Sequence, residues 1–454
     1  MPAPVMRIRG SEGRDTMRKR SFQPDGFPGL NSGRTRAHWH ARAPRFAVRG
    51  GECQMFGERW QKILDAQGDD IALRHPGGVW SFHELEKQAR TLEPDLCPVL
   101  GPYYLAQGDG PEIARALLAG FLSGLPVQVV EKDRSRRVPS CPAPAGTALI
   151  KQAVGASGSR RCQFFTLAQA AADADRLHAA LGLGGIGTAL APLSVAHSFG
   201  LTTTLLPMLL HGLRVHWLPT PFPAGIAEAL ALHERVFLPG VPAMWKAWLL
   251  SGLGLERVAL AVSAGSPLTL ELESKVRRQF GLKLHNLYGT SETGAISYDA
   301  GQSPRTDARD LGRLLPGVRA LCDEQGFLIV ESDAVGLGYD APLPGELFSA
   351  SRHRTWDKAR LEGDALFFES CAGPGINVAS RKLSPDEIAA KIRRATGIAD
   401  IAVHGAASRD PERVQDVVAV AGLPAGQITQ AFKSAACAGL AAWEVPRHWR
   451  GKPG

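Results

Sequence analysis

The 454-residue sequence predicts an α/β fold, in which helices alternate with short apolar strands. Apolar runs at 127–130, 148–151 and 284–287 end in polar or glycine-rich turns, as buried strands do. Residues 167–181 are instead amphipathic with helical spacing and follow Thr166, a residue type that caps helices. The chain is also longer than one hydrophobic core normally supports, so we expect at least two domains.

The remaining elements follow from the same two periodicities, 3.6 residues for a helix and 2 for a strand. Near the start, Trp60, Ile63 and Leu64 lie on one face of a predicted helix. The other predicted helices are 112–123, 201–210, 244–250 and 385–395, the last capped by Ser384. The other predicted strands are 215–218, 236–238, 260–263, 327–330, 366–368 and 417–420.

The positive charge of the chain is confined to its first 50 residues. They hold eleven Lys/Arg and three Asp/Glu of the 52 and 44 in the whole sequence, which leaves 41 of each in the rest. Their Gly, Pro and Ser content and missing apolar periodicity predict a basic, disordered extension over residues 1–54. This head could bind RNA or another anionic surface. We favour the alternative that translation starts at Met55, so no nucleic-acid partner is expected.

The cysteines and apolar segments indicate the compartment. The seven cysteines are scattered without a CxxC pair, which fits a reducing cytoplasm rather than a disulfide framework or zinc site. The head lacks the apolar core of a signal peptide, and segments such as 201–210 are too short to cross a bilayer. We therefore expect a cytoplasmic protein without a membrane span.

One nine-residue segment, 286–294, combines side chains that suit a nucleotide: Asn-Leu-Tyr-Gly-Thr-Ser-Glu-Thr-Gly. The ring of Tyr288 can stack on a base, Gly289 lets the backbone approach a phosphate, and the Ser291 hydroxyl can bond a phosphoryl oxygen. Glu292 is a hard oxygen ligand of the kind that Mg²⁺ prefers. The alternative is a strand end followed by an ordinary polar turn.

A second segment, 155–161, reads Gly-Ala-Ser-Gly-Ser-Arg-Arg and precedes an amphipathic helix. The backbone N–H groups of such a loop, together with its cationic side chains, can bind the phosphates of ATP. Gly/Ser/Arg turns are common, so the loop alone leaves an ordinary turn open.

The two segments resemble signature motifs of the adenylate-forming superfamily, which includes acyl-CoA synthetases, aryl-CoA ligases and peptide-synthetase adenylation domains. Residues 288–292 are similar to Tyr-Gly-x-Thr-Glu, with Ser291 in place of the threonine, and 155–161 are similar to Gly-Thr-Thr-Gly-x-Pro-Lys. Five further segments resemble family motifs in the family's order: 191–200, 263–268, 311–317, 355–357 and 376–388.

This resemblance implies a large N-terminal α/β adenylation domain of several subdomains over residues 55–357. A small, shortened α+β C-terminal domain would occupy 358–454. The implied reaction is ATP-dependent activation of a fatty or aryl acid to an acyl-adenylate, with Mg²⁺. The acyl group would then pass to the thiol of CoA or of a carrier protein's phosphopantetheine, in a pathway of secondary metabolism.

The resemblance also assigns individual roles. The implied nucleotide site consists of Gly155, Ser157, Gly158, Ser159, Arg161, Gly265, Tyr288, Gly289 and Asp357. Among these, Arg161 would be the phosphate-binding cation and Asp357 would accept from the ribose hydroxyls. Asp357 could alternatively be a surface carboxylate.

Three residues are implied to be catalytic. Ser291 would contact the α-phosphate, Glu292 would hold Mg²⁺, and His197 would line the acyl or thiol entrance. The alternative for His197 is a polar histidine of the core.

The sequence departs from the family pattern at three places. Ala156 lacks a hydroxyl and Arg160 replaces a proline in the phosphate loop, and the hinge at 369–377 lacks its arginine and aspartate. Lys452 follows Pro446 too closely to match the family's lysine near the C-terminus. A cation beside a developing negative charge typically lowers the activation barrier by several kcal/mol, so the loss of this lysine should slow adenylation. The second hypothesis is therefore a catalytically impaired nucleotide- or acyl-binding protein on the same fold.

Overall fold

The computed structural model describes residues 51–132, 136–154, 160–343, 346, 348–349, 351–371, 373, 375–379, 381–410 and 413–451. The predicted head, 1–54, lies outside them except for its last four residues, which are helical rather than disordered because the first helix begins at Gly51. Gly155, Ser157, Gly158, Ser159 and Lys452 also lie outside the described residues.

The helices are amphipathic or fully buried, as their patterns predict. Helices α1 to α11 are Gly51–Gln67, Phe82–Arg90, Gly110–Ser123, Leu167–Ala180, Ser198–Gly200, Leu206–His211, Pro223–Ala231, Pro242–Leu250, Leu270–Phe280, Pro385–Thr396 and Gln430–Cys437. A π-helical turn, Leu201–Leu205, joins α5 to α6. Short 3₁₀ turns occupy Leu183–Gly185 and Ala425–Gln427.

The strands are short, and most end in turns. Strands β1 to β13 are Ile71–His75, Gly78–Ser81, Asp95–Cys97, Gly101–Gly108, Val127–Glu131, Thr147–Val154, Arg160–Thr166, Thr188–Ala191, Val215–Trp217, Val236–Gly240, Val258–Ser263, Leu284–Thr290 and Gly294–Tyr298. Strands β14 to β25 are Asp310–Leu314, Arg319–Cys322, Phe327–Glu331, Gly338–Tyr339, Phe348–Ser349, Arg352–Glu362, Ala365–Cys371, Ile376–Val378, Arg381–Leu383, Ile401–Ala407, Gln415–Ala421 and His448–Gly451.

A fourteen-stranded sheet, counted over the described residues, forms the centre of the fold. Its order is β15-β16-β19-β20-β14-β13-β12-β11-β10-β8-β9-β1-β2, with β18 beside β19. Strands β9, β8, β10, β11 and β12 are parallel, and β10 is buried along its whole length, as expected of a strand covered on both faces. At the end of β12 the chain reverses into the antiparallel strand β13, so the segment 286–294 forms a hairpin.

A second sheet has the order β17-β7-β6-β5-β4-β3. Strands β4, β5 and β6 are parallel, whereas β7 returns antiparallel to β6 and pairs with the two-residue strand β17. Thr166 ends β7 and caps α4 through a reciprocal pair of hydrogen bonds with Gln169, as its position in the sequence predicts. The largest apolar cluster combines residues of both sheets with residues of helices α1, α2, α3, α4 and α6.

The last elements form a small α+β unit with its own core. It consists of the β21–β22 hairpin, the β23-β24-β25 sheet and helices α10 and α11. Ile376, Ile388, Ile392 and Val417 are fully buried in this core. The predicted fold class is therefore confirmed, but the expected boundary at residue 358 falls inside β19, which pairs with β16 and β20 of the large sheet.

Two further observations concern membrane-spanning helices and cysteines. Across the described ranges, no helix is both long and apolar enough to span a membrane. All seven cysteines fall in described segments, and each is a free thiol.

The buried His216, which pairs with His233, makes the stability of this fold depend on pH. His216 Nδ1 lies 3.1 Å from His233 Nε2, and burial, reinforced by the charges of His233 and Arg74, lowers the pKa of His216 to about 4. The unfolded chain takes up this proton near pH 6.5 while the folded protein resists it, so stability is lost as the pH falls from about 6.5 to about 4.

The variant His216→Asn lacks this titration. We expect its deficit in unfolding free energy, measured by denaturant titration, to shrink as the pH falls through this window; a deficit independent of pH would contradict the assignment.

Candidate active site

A cavity of about 480 Å³ lies where the two large sheets and the small C-terminal unit meet. Strand β6, helix α4, the β12–β13 hairpin and strand β19 line it, and residues of the β21–β22 hairpin reach it from the small unit. Seven of the residues singled out from the sequence line this cavity: His197, Gly265, Tyr288, Gly289, Ser291, Glu292 and Asp357. The fold thus brings them together, although the roles assigned to them stay predictions.

The β12–β13 hairpin carries four of these residues, and its tight shape depends on glycine. A Cβ at Gly289 would overlap the carbonyl oxygen of Gly294 on the opposite strand. From α4, the buried Asp173 Oδ1 accepts a hydrogen bond from the Ala295 N–H at 2.8 Å. Burial raises the pKa of Asp173, while this hydrogen bond and the charge of Lys151 oppose the rise. A carboxylate from a helix therefore holds the base of the hairpin.

Tyr288 and Asp357, which are 69 positions apart in the chain, form a direct pair. The Tyr288 hydroxyl donates to Asp357 Oδ2 at 2.8 Å. Burial, together with the negative charge of Asp357, raises the pKa of Tyr288 well above its usual value, so the phenol stays protonated and remains a donor. This contact fixes the orientation of the Asp357 carboxylate at the cavity wall.

Glu292 is buried at the cavity wall and is held by Tyr339 of β17. The Tyr339 hydroxyl donates to Glu292 Oε1 at 2.6 Å. Burial alone would raise the pKa of Glu292, but the nearby charge of His353 and hydrogen bonds from Tyr339 and Thr290 lower it on balance. The carboxylate is therefore ionised at neutral pH.

Arg161 is placed differently from the expectation of a phosphate-binding cation. Because β7 begins at Arg160, Arg161 turns into the interior, where it is 2% exposed, and it does not line the cavity. Its Nη1 and Nη2 donate to the two carboxylate oxygens of Glu346 at 2.5 and 2.8 Å, and its guanidinium lies 3.7 Å from the centre of the Tyr339 ring. Arg161 thus supports Tyr339, which in turn holds Glu292.

His197 and Gly265 also line the cavity. The His197 side chain is 59% exposed, which excludes the alternative of a core histidine, and its Nε2 lies 2.8 Å from Glu131 Oε1. Gly265 has φ +85° in the turn after β11, a conformation that favours glycine.

Sequence reasoning missed three residues of this site: Lys151, Asp173 and Tyr339. Lys151 Nζ donates to Ser198 Oγ at 2.9 Å and to the Ser291 carbonyl at 2.8 Å. One signal was present, since a lysine within an otherwise apolar strand needs a polar partner inside the fold. Asp173 and Tyr339 carried no comparable signal, because their contacts depend on tertiary pairing.

The small unit contributes to the site from the opposite side. Asn377, Arg381 and Gln415 line the cavity. Arg160, which stands where the resemblance expects a proline, forms an ion pair with Glu387 of α10 at 2.9 Å. The altered loop therefore provides a contact between the second sheet and the small unit.

A metal at this site would need ligands beyond the protein. In the part of the chain that the structure describes, no group of three or more His, Cys, Asp and Glu side chains could hold a metal ion. Glu292 nevertheless suits Mg²⁺, because it is an ionised carboxylate beside the cavity, and phosphate oxygens of a nucleotide could complete the coordination.

Comparison with known proteins agrees with this geometry. Residues 164–339 match the family of AMP-binding enzymes. A sulfoacetate–CoA ligase of Cupriavidus necator is 26% identical over 330 residues, which are 68% of this chain and 64% of the relative, so the match spans less than two thirds of that protein.

Two solved structures share the fold. The o-succinylbenzoate CoA synthetase MenE of Bacillus subtilis superposes with a TM-score of 0.71 at 16% identity, covering 87% of this chain and 95% of MenE. ATP-bound MatB of Rhodopseudomonas palustris gives a TM-score of 0.60 at 18% identity, covering 88% and 95%. Residues 164–339 therefore match the AMP-binding family, and the chain shares the fold of these two solved structures.

The tight hairpin should make the stability of the protein sensitive to a side chain at position 289. Gly289→Ala should destabilise the protein by about 2–3 kcal/mol, since the added methyl group meets backbone that cannot move aside. The matched control is Gly225→Ala in α7, where a Cβ has no neighbour within 4 Å, and which should be neutral or stabilising by up to about 1 kcal/mol. Chemical denaturation of both variants measures the difference; equal stabilities would show that the hairpin tolerates a side chain.

Proposed function

We propose that this protein activates a carboxylic acid with ATP, producing an acyl-adenylate and pyrophosphate, and then transfers the acyl group to a thiol. The observation that carries this proposal is the convergence of seven sequence-predicted residues on one cavity. The thiol would belong to CoA, as the names of the ligase relatives suggest, or to the phosphopantetheine of a carrier protein. Because all seven cysteines are free, we place the reaction in the cytoplasm.

The adenosine half of ATP would lie between the hairpin and the turn after β11. Tyr288 and Gly265 would flank the adenine, and Asp357 would accept hydrogen bonds from the ribose hydroxyls. The Tyr288 hydroxyl fixes the Asp357 carboxylate before the ligand arrives, which lowers the cost of ordering it on binding. The Gly/Ser loop would bind the phosphates, with Ser157 and Ser159 as donors.

Glu292 and Ser291 would act at the phosphates. Ser291 would hydrogen-bond the α-phosphate, and Glu292 would hold Mg²⁺, which neutralises phosphate charge when bound. Tyr339 keeps Glu292 oriented, and Arg161 keeps Tyr339 in place. The protein's contribution is therefore mainly alignment and charge neutralisation, which can account for much of the rate enhancement in phosphoryl and nucleotidyl chemistry.

The acid would enter beside His197. Its side chain is exposed, lines the cavity and is oriented by Glu131. The apolar part of the adjacent wall is formed by Leu177, Phe199 and Leu311, which suits a fatty or aryl acid. Sulfoacetate and o-succinylbenzoate, named for two relatives, belong in the same set of candidates.

The proposal is tested by ATP–pyrophosphate exchange with the full chain across fatty acids, aryl acids, sulfoacetate and o-succinylbenzoate. We expect exchange that depends on one class of acid and falls at least about 100-fold in Glu292→Gln, since losing metal coordination removes several kcal/mol of stabilisation. Glu58→Gln on the exposed face of α1 is the matched control and should behave as wild type.

A second candidate function is supported by one observation. Arg161, which the resemblance assigns to the phosphates, is engaged by Glu346 instead of facing the cavity. If no acid supports exchange while calorimetry still detects ATP binding, the activation proposal fails and the protein is a nucleotide- or acyl-binding member of the fold.

The ribose contact yields an independent prediction. Asp357→Asn should weaken ATP binding about tenfold, because hydrogen bonds to a charged group contribute about 1.5–3 kcal/mol, but should change the binding of 2′,3′-dideoxy-ATP little. Tyr288→Phe, which keeps the ring but frees Asp357, should have a smaller effect of the same kind. Calorimetry with both nucleotides measures this, with exposed Asp65→Asn as control; equal losses for both nucleotides would remove Asp357 from the ribose site.

A further inference from the structure

Lys151 differs from the other buried cations of the described chain. Five Lys and Arg side chains are buried there, and four of them form ion pairs: Arg161 with Glu346, Arg176 with Asp333, and Lys283 and Arg305 with Glu273. Lys151 is 6% exposed and forms no ion pair with any described residue. A buried charge is costly unless it is compensated, so this ammonium is incompletely compensated in the free protein.

The two hydrogen-bond partners of Lys151 are polar but neutral. Its Nζ donates to Ser198 Oγ at 2.9 Å and to the Ser291 carbonyl at 2.8 Å, and it lies 3.9 Å from the centre of the Phe165 ring. An ammonium group has three N–H donors, and the hydroxyl and the carbonyl take two. The carboxylates that influence it, Asp173 and Glu292, act only through space. Burial lowers the pKa of Lys151 to about 8, which leaves it mostly protonated at neutral pH.

The position of Lys151 identifies the anion that it suits. Lys151 lies on β6 and lines the cavity. One of its hydrogen-bond partners, Ser198, follows His197 at the acid entrance, and the other, Ser291, is the residue assigned to the α-phosphate. Lys151 therefore lies between the place where the acid would enter and the place where the α-phosphate would bind.

We propose that the Lys151 ammonium binds the anionic centre formed by the reacting carboxylate and the α-phosphate. It would supply from the body of the fold the charge that the family resemblance assigns to a lysine near the C-terminus. This inference rests on the proposed acid activation. In that step a carboxylate oxygen forms a bond to the α-phosphorus, and the bond from that phosphorus to the bridging oxygen breaks. Pyrophosphate leaves with the electron pair, no proton is transferred, and Lys151 stays protonated.

The first test is binding, which does not require turnover. Calorimetry compares AMP with adenosine on the full chain for wild type, Lys151→Met and Lys151→Arg. Methionine matches the length and burial of lysine without its charge. We expect Lys151→Met to weaken AMP binding about tenfold or more and adenosine binding less than about twofold, and Lys151→Arg to recover most of the loss. Thermal melting checks that each variant is folded, and exposed Lys62→Met is the matched control.

The second test is exchange with the acid that wild type accepts. Lys151→Met should reduce exchange about 100-fold or more, while thioester formation from a supplied acyl-adenylate falls less than about tenfold. Lys452→Ala should retain exchange within about threefold. If wild type exchanges no pyrophosphate, the proposed function fails, but the AMP and adenosine comparison still tests Lys151.

Three outcomes would overturn the inference. Unchanged AMP affinity in Lys151→Met would show that the ammonium does not reach the phosphate. Equal losses for AMP and adenosine would indicate that Lys151 only holds Ser198 and Ser291 in place. Loss of exchange in Lys452→Ala with retention in Lys151→Met would return the role to the C-terminal lysine.

Discussion

The site depends on how the β12–β13 hairpin is joined to the second sheet. The Tyr339 hydroxyl bonds the Glu292 carboxylate, and the Gly336 N–H donates to the Glu292 carbonyl at 2.9 Å. Lys151 of β6 bonds the carbonyl of the preceding residue, Ser291. Two neighbouring residues of one turn are thus held by strands from another sheet. Without these contacts the turn would be an exposed loop, and the carboxylate and hydroxyl would not share a wall with Asp357.

The arrangement of charge explains why this wall is polar yet buried. Arg161 is neutralised by Glu346 and packs on Tyr339, the residue that holds Glu292. In this position the Arg161 side chain does not reach the cavity. Bidentate pairing of a guanidinium with a carboxylate is the geometry best suited to a dry interior. Lys151 and Asp357, which also line the cavity, are instead hydrogen-bonded by neutral partners.

The parts of the site that the sequence predicts are those whose chemistry is contiguous in the chain. The segment 286–294 carries ring, glycine, hydroxyl and carboxylate together, and the fold only has to close it as a hairpin. Tyr339 and Asp173 could not be predicted because β17 and α4 reach the hairpin through tertiary packing alone. Arg161 does not face the cavity, because it lies within β7, which begins at Arg160, and its side chain is buried against Glu346. The helix predicted at 201–210 contains a π-helical turn. There the hydroxyls of Thr202, Thr203 and Thr204 each donate to the carbonyl four residues earlier.

The Arg160–Glu387 ion pair has a consequence for salt dependence. Both side chains are partly exposed, at 27% and 35%, and such pairs typically contribute about 0.2–1 kcal/mol. The small unit buries its own apolar side chains, so the stability of its core does not depend on this contact. Added salt should therefore weaken this contact with the second sheet while the core of the small unit stays intact.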